Sequence, residues 1–192
     1  MKKKKSTGTI LAALFAALIS AGCFIQIPLP GGIPIILQDM LAMLSGMLLG
    51  PLYGSIAVFV FLVLGSIGLP VFSGKAGLQV ITAGPTGGFL IGYLLGALAA
   101  GLFLKFLLPP ASAERQHRKA KTYILITAAA VLATVIVFVC GIIGFMRVTG
   151  SDFSKTLAAV LIPFIPGNLL KIVLMVPLTH TFRPVIEQYT AA

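Results

Sequence analysis

Residues 33–68 read IPIILQDMLAMLSGMLLGPLYGSIAVFVFLVLGSIG, and Asp39 is their one formal charge. A helix on the surface of a soluble protein needs a polar face, and this stretch has none. A bilayer core takes about 17–25 apolar residues per helix, so there is length here for two crossings. Gly50-Pro51 divides them, because proline cannot continue a helix interior and the glycine before it can turn. Ile33–Leu49 and Leu52–Gly68 are therefore predicted as two transmembrane helices. The same pattern extends outward in both directions. Thr9–Ile27 is apolar and is ended by Pro28-Leu29-Pro30-Gly31-Gly32. A Gly- and Pro-rich stretch, Leu69–Pro85, leads to Thr86–Leu108, closed by Pro109-Pro110. Thr122–Met146 follows, then a polar connection, Arg147–Ser154. Thr156–Ile165 reads as a short apolar approach, with Pro166 placed in the first turn of a last helix. The expected fold is all-α: one domain over residues 1–192, an integral membrane bundle of six transmembrane helices. Its spans are about 9–27, 33–49, 52–68, 86–108, 122–146 and 166–182, with a basic loop at 109–121.

Composition agrees. Of 192 residues, 58% are hydrophobic and 9% charged, where a soluble domain carries about 25% charged residues. The mean hydropathy is +1.09, which excludes a water-soluble monomer and a disordered chain. The net charge of +10 would suggest nucleic acid in a soluble protein. Here it marks orientation instead, since cytoplasmic loops collect Lys and Arg. Lys2 to Lys5, Lys105, Arg115, Arg118, Lys119, Lys121 and Arg183 fall on one side of the six-span arrangement. Lys75, Arg147, Lys155 and Lys171 fall on the other. The larger group places both termini and the 109–121 loop in the cytoplasm of a cell with the protein in its plasma membrane. The lysines, the apolar run and Ser20-Ala21-Gly22-Cys23 have the look of a lipoprotein signal, but Ser20 stands where a bulky aliphatic is expected, so the segment is read as a retained first span.

Enzyme and metal signatures are lacking in the sequence. Cys23 and Cys140 lie in apolar runs without metal-ligand spacing. Gly74-Lys75 lacks the upstream glycines of a phosphate loop, and no G-x-S-x-G elbow occurs. His117 and His180 fall at the cytoplasmic side. Four carboxylates leave no acid–base pair within the spans. The expectation is a non-enzyme with no metal or cofactor and no nucleotide site of its own.

Charges and carboxamides at membrane depth are costly and each asks for a reason. Gln38 and Asp39 lie near the outer end of the second span. Asn168 and Lys171, three residues apart, share a face at the outer end of the sixth. Lys75 and Gln79 lie in the outer stretch between spans three and four. Two readings stand side by side. Asp39 and Lys171 form an ion pair that closes two helices, or the cluster takes a small polar ligand, for which neutral carboxamides and Gly-rich backbone at Gly74 and Gly77 are suited. Small residues also recur at four-residue spacing. In Gly88, Gly92, Gly96 and Ala100 they suit packing inside the bundle. In the first span, Ala12, Ala13, Ala16, Ala17, Ser20 and Ala21 cover two stripes, more than one neighbour needs, and suit docking of a second membrane protein.

Several runs together resemble one family. They are Gly68-Leu69-Pro70-Val71-Phe72-Ser73-Gly74, Gly84-Pro85-Thr86-Gly87-Gly88-Phe89-Leu90-Ile91-Gly92-Tyr93, Ile27-Pro28-Leu29-Pro30, Leu37-Gln38, and Pro163-Phe164-Ile165-Pro166-Gly167-Asn168 with Lys171. These are similar to the hallmarks of the BioY family, the biotin-specific S components of energy-coupling factor (ECF) transporters, over nearly the whole chain. The resemblance implies six membrane helices, capture of biotin on the outer side, and import driven by a transmembrane T component and two ATPases that alone use ATP. It implies that Asn168 and Lys171 hold the ureido ring of biotin. Gln79, Gln38, Tyr93, Lys75 and the backbone from Gly74 to Gly77 are further candidates. It also implies that the alanine face of the first helix docks the T component. The family pattern has Asp where Asn168 stands and Thr where Asp39 stands, so Asp39 is expected to supply the counter-charge of Lys171. A different small vitamin as ligand, or an intramembrane enzyme, are the alternatives.

Overall fold

The apolar stretch read above folds as α2, Gln38–Ser66, and it is not straight. Gly50 takes φ 77° and ψ −179° immediately before Pro51, a backbone region open essentially only to glycine. A continuous helix of this length would span about 43 Å. Instead Gln38, at its start, donates a 2.6 Å hydrogen bond to the carbonyl of Val71, just beyond its end. The two limbs, 38–49 and 51–66, therefore fold back as a hairpin. Their seam is glycine on glycine: a Cβ added to Gly54 would lie 2.5 Å from the Cα of Gly46. Ser45, fully buried, donates its hydroxyl proton to Ala42 O (2.7 Å) and Gly54 O (3.2 Å) across the same seam.

The computed structural model describes residues 2–27, 35–108 and 119–190, with side chains from 6–25, 36–108 and 120–189. The other helices wrap the hairpin. α1 (Lys2–Ala21) lays Gly8 under the ring of Tyr53 and buries Ala12, Phe15, Ala16 and Ile19. α4 (Gly87–Leu107) meets the hairpin where Gly46 abuts the Ala97 carbonyl and where a Cβ on Gly101 would lie 2.6 Å from Pro51 N. Its other small-residue face carries α5 (Lys119–Thr149): Gly88 sits on Cys140 and Gly144, Gly92 on Val137, Gly96 on Ala133. The four-residue stripe of α4 is thus used for packing inside the chain. α7 (Ile165–Thr190) turns Lys171, Met175, Thr179 and Arg183, each four residues apart, into the bundle. At its far end Arg183 donates to Leu104 O (3.4 Å) and pairs with Glu187 (2.7 Å), while Tyr123 stacks on His180. Two short helices complete the order: α3 (Leu78–Thr82), and α6 (Phe153–Val160), whose N-terminus is capped by the Asp152 carboxylate accepting from Lys155 N–H at 2.8 Å. A 3-10 turn, Ile162–Phe164, joins α6 to α7.

Element boundaries differ from the sequence expectation in several places. α1 ends at Ala21, and Gln26–Ile27 instead pairs antiparallel with Ile35–Ile36, Gln26 opposite Ile36. The second span thus starts at Gln38 rather than at residue 33, because Ile35–Ile36 is taken up in pairing with Gln26–Ile27. Residues 28–34 and most of the basic loop, 109–118, lie outside the described residues. α5 extends both ends of the expected fifth span, and α7 continues to Thr190, past Pro177 and Pro184. Leu69–Pro85, expected as Gly- and Pro-rich connection, contains a tight turn and α3.

Four stretches are long and apolar enough to cross a membrane: Gln38–Ser66, Gly87–Leu107, Ala120–Thr149 and Phe153–Tyr189, with Ser6–Ala21 shorter. The first is the hairpin, and the last joins α6, the 3-10 turn and α7. Large apolar side chains point outward from every long helix, among them Ile10, Phe106, Ile124 and Val173. Water would not tolerate such a surface, and lipid does. The protein is an all-α, multi-pass membrane protein.

Candidate substrate-binding site

Asp39 and Lys171 meet although they are 132 residues apart in sequence. Lys171 Nζ lies 2.7 Å from both carboxylate oxygens of Asp39, with the side chains 5% and 15% exposed. Asp39 stands in the first turn of α2, where the helix N-terminus favours negative charge. Lys171 reaches it from the second turn of α7. Tyr93, on α4, lies within the electrostatic reach of Asp39 and packs against the hydrophobic core. Asn168 is buried on the Lys171 side of α7 and donates Nδ2–H to Phe164 O at 2.8 Å, which fixes the orientation of its amide. Four of the expected residues, Asp39, Tyr93, Asn168 and Lys171, therefore belong to one end of the bundle.

Gln38 is at the same end, but its amide is occupied. Nε2 donates to Val71 O and, at 3.3 Å, to Ile19 O in the last turn of α1. Beyond Val71 the chain makes a two-residue turn: Phe72 and Lys75 exchange both main-chain hydrogen bonds at 3.0 Å around Ser73 (φ 52°) and Gly74 (φ 82°). Positive φ at both central positions is the geometry of the tight primed hairpin turn. Phe72 tucks its ring under Gly65 and edge-on to Phe61. Gly77 donates its N–H to Gly65 O at 2.8 Å and leads into α3. Ser73, Gly74, Lys75 and Gln79 are exposed, and the side-chain amide of Gln79 lies beside Gly77. These positions form the rim of the polar end and are not in direct contact with the Asp39–Lys171 pair by any hydrogen bond seen among the described residues.

The first-helix alanines separate into two groups. Ala12 and Ala16 are 1% exposed and pack inside the chain, so they are unavailable to another protein. This corrects their reading as docking residues: the hairpin claims that stripe. Ser20 is half-buried and returns its hydroxyl proton to Ala16 O at 2.8 Å. Ala13, Ala17 and Ala21 face outward.

Cys23 lies just beyond the end of α1, in the apolar run noted above. It is buried, and its thiol reaches the backbone of Ser73 and Gly74, tying the exit of α1 to the turn. Nothing in the local sequence announces this contact or the roles of the Ile19 and Val71 carbonyls, since every residue carries a carbonyl.

Fold and polar end together define a multi-pass helical membrane protein with a buried ion pair, Asp39–Lys171, at one end and a second, Arg183–Glu187, at the other. Residues 1–188 match the sequence model described as the BioY family, and the chain belongs to that family. It is 38% identical over 172 residues to the biotin transporter BioY of Rhodobacter capsulatus, covering 85% of this chain and 86% of that one. It is 35% identical over 165 residues to the biotin transporter BioY of Thermotoga maritima, covering 85% and 88%. A crystal structure described as the S-component for biotin from an ECF-type ABC transporter superposes with a TM-score of 0.79 at 30% identity, over 95% of this chain and 94% of that one.

Proposed function

We propose that this protein is the biotin-binding membrane subunit of a vitamin uptake transporter and not an enzyme. The observation that carries the reading is the buried Asp39–Lys171 pair, with Asn168 one turn from it, in a chain whose relatives are named as biotin transporters. Biotin offers a ureido ring with two N–H donors and a carbonyl acceptor, an apolar thiophane and alkyl tail, and a carboxylate. Asp39 accepts from the ureido N–H groups, Lys171 donates to the carbonyl, and Asn168 can do either. Tyr93 walls the apolar part. Gln79, Lys75, Gly74 and Gly77 line the rim, where Lys75 meets the ligand carboxylate.

Six crossings in a single domain fit the sequence once the two limbs of α2 are counted separately, and the Lys/Arg distribution supports both termini in the cytoplasm. The polar end then faces outward. A T component docks on the outward stripe, Ala13, Ala17 and Ala21, where small side chains permit close helix approach, and two ATPases supply the energy. The chain itself uses no cofactor. Surrounding lipid covers the apolar flanks, and no nucleic acid is involved.

The test is a thermal-shift and equilibrium binding assay on the detergent-purified protein against a vitamin panel. Biotin is expected to raise the melting temperature and bind one to one. A shift with another vitamin alone keeps the architecture and overturns the ligand. Asn168 in place of the family's Asp makes that second outcome the competing reading.

A further inference from the structure

Gln38 is among the largest fully buried side chains of the protein, 1% exposed. A carboxamide closed into a bundle costs free energy unless its donors are satisfied. Here the acceptors come from two distant segments: Val71 O at 2.6 Å and Ile19 O at 3.3 Å. Ile19 belongs to the last turn of α1, where carbonyls run out of partners in their own helix. Val71 opens the Phe72–Lys75 turn, which is itself held by the Phe72 ring against Phe61 and Gly65 and by the Cys23 thiol from the α1 exit. The next residue in the chain, Asp39, holds Lys171 by both carboxylate oxygens. Consecutive helical residues point about 100° apart. One helical turn thus faces the ion pair with one side chain and grips α1 and the turn with the other.

We infer that Gln38 is a positioning residue that couples occupancy of the Asp39–Lys171 site to the exit of α1 and to the Phe72–Lys75 turn. The inference rests on the biotin-binding reading. A ligand that draws on Asp39 or Lys171 displaces the first turn of α2. The Gln38 amide transmits that displacement, because breaking either of its bonds leaves a buried polar group unsatisfied. The α1 exit and the turn therefore move with the site. α1 also carries the outward alanine stripe, so ligand state reaches the helix that presents it.

The experiment is hydrogen exchange by mass spectrometry on the full chain in detergent, with and without saturating biotin, for the parent, Gln38→Leu and Gln38→Met. Gln38→Met keeps the side chain's length and carries no hydrogen-bond donor. In the parent, biotin is expected to slow exchange over residues 17–25 and 71–77. In both variants biotin still binds, but protection at those two segments is lost. Release of labelled biotin becomes roughly tenfold faster while its association rate is unchanged. A parent that binds biotin yet shows no change at either segment overturns the coupling without recourse to any variant. So do variants with parental protection and parental release. A parent that gives no thermal shift with biotin overturns the functional reading first, and this inference with it.

Discussion

At the scale of the residue, the Asp39–Lys171 pair was legible in the sequence. Charges inside apolar runs are rare enough that two of opposite sign at one depth are natural partners. Gln38 was legible as a residue of interest but not in its role, because its partners are main-chain carbonyls and no side chain marks them. The pair allows a clean separation of packing from binding. Removing one member of a buried pair leaves the other uncompensated, at a cost of about 3 kcal/mol or more. Asp39→Asn is expected to lower the melting temperature and to weaken biotin binding. Asp39→Asn with Lys171→Met removes both charges and is expected to recover most of the melting temperature while biotin binding stays lost. A double variant that binds biotin like the parent would show that the pair only closes two helices.

At the scale of the element, the Gly50-Pro51 break and the small-residue stripe of α4 followed from local chemistry: proline ends a helix interior, and glycines four apart make a flat face. The helix ends did not follow, since apolar residues of a strand pair such as Ile35–Ile36 are indistinguishable by composition from the start of a helix. The glycines of the hairpin divide by mechanism. Gly50 has open space where a Cβ would go, so Gly50→Ala meets only backbone strain, about 2 kcal/mol, and should fold with a lowered melting temperature. Gly46 abuts the Ala97 main chain, which cannot give way, so Gly46→Ala should separate the hairpin from α4 and lose the folded peak in size-exclusion chromatography. The two alanine stripes of α1 should part in the same way. Ala13→Leu with Ala17→Leu should leave biotin binding intact and abolish co-purification with a T component. Ala12→Leu with Ala16→Leu should destabilise the isolated chain.

At the scale of the whole molecule, composition alone placed the chain in a membrane, because so small a charged fraction cannot solvate a globule. Helix length alone reads α2 as a single crossing, although its two limbs, 38–49 and 51–66, part at the non-helical Gly50 before Pro51. The proposed orientation has its own check. In a variant with Cys23 and Cys140 replaced by Ser, a cysteine at Lys75 should react with a membrane-impermeant maleimide in intact cells. A cysteine at Tyr189 should react only after permeabilisation. The opposite pattern would invert the topology and place the polar end inside.

The first limb of the α2 hairpin has one further consequence. Residues 38–49 make a rod of about 18 Å, well short of the hydrocarbon thickness of about 30 Å. Its Gly50 end meets α4 at Gly101, short of that helix's end at Leu107, so the limb cannot reach from one lipid surface to the other. Either the bilayer thins beside this limb or a sunken vestibule opens above it, and both deformations carry a cost that grows with acyl-chain length. Reconstituted into lipids of increasing chain length, the protein should therefore show progressively slower access of biotin to its site.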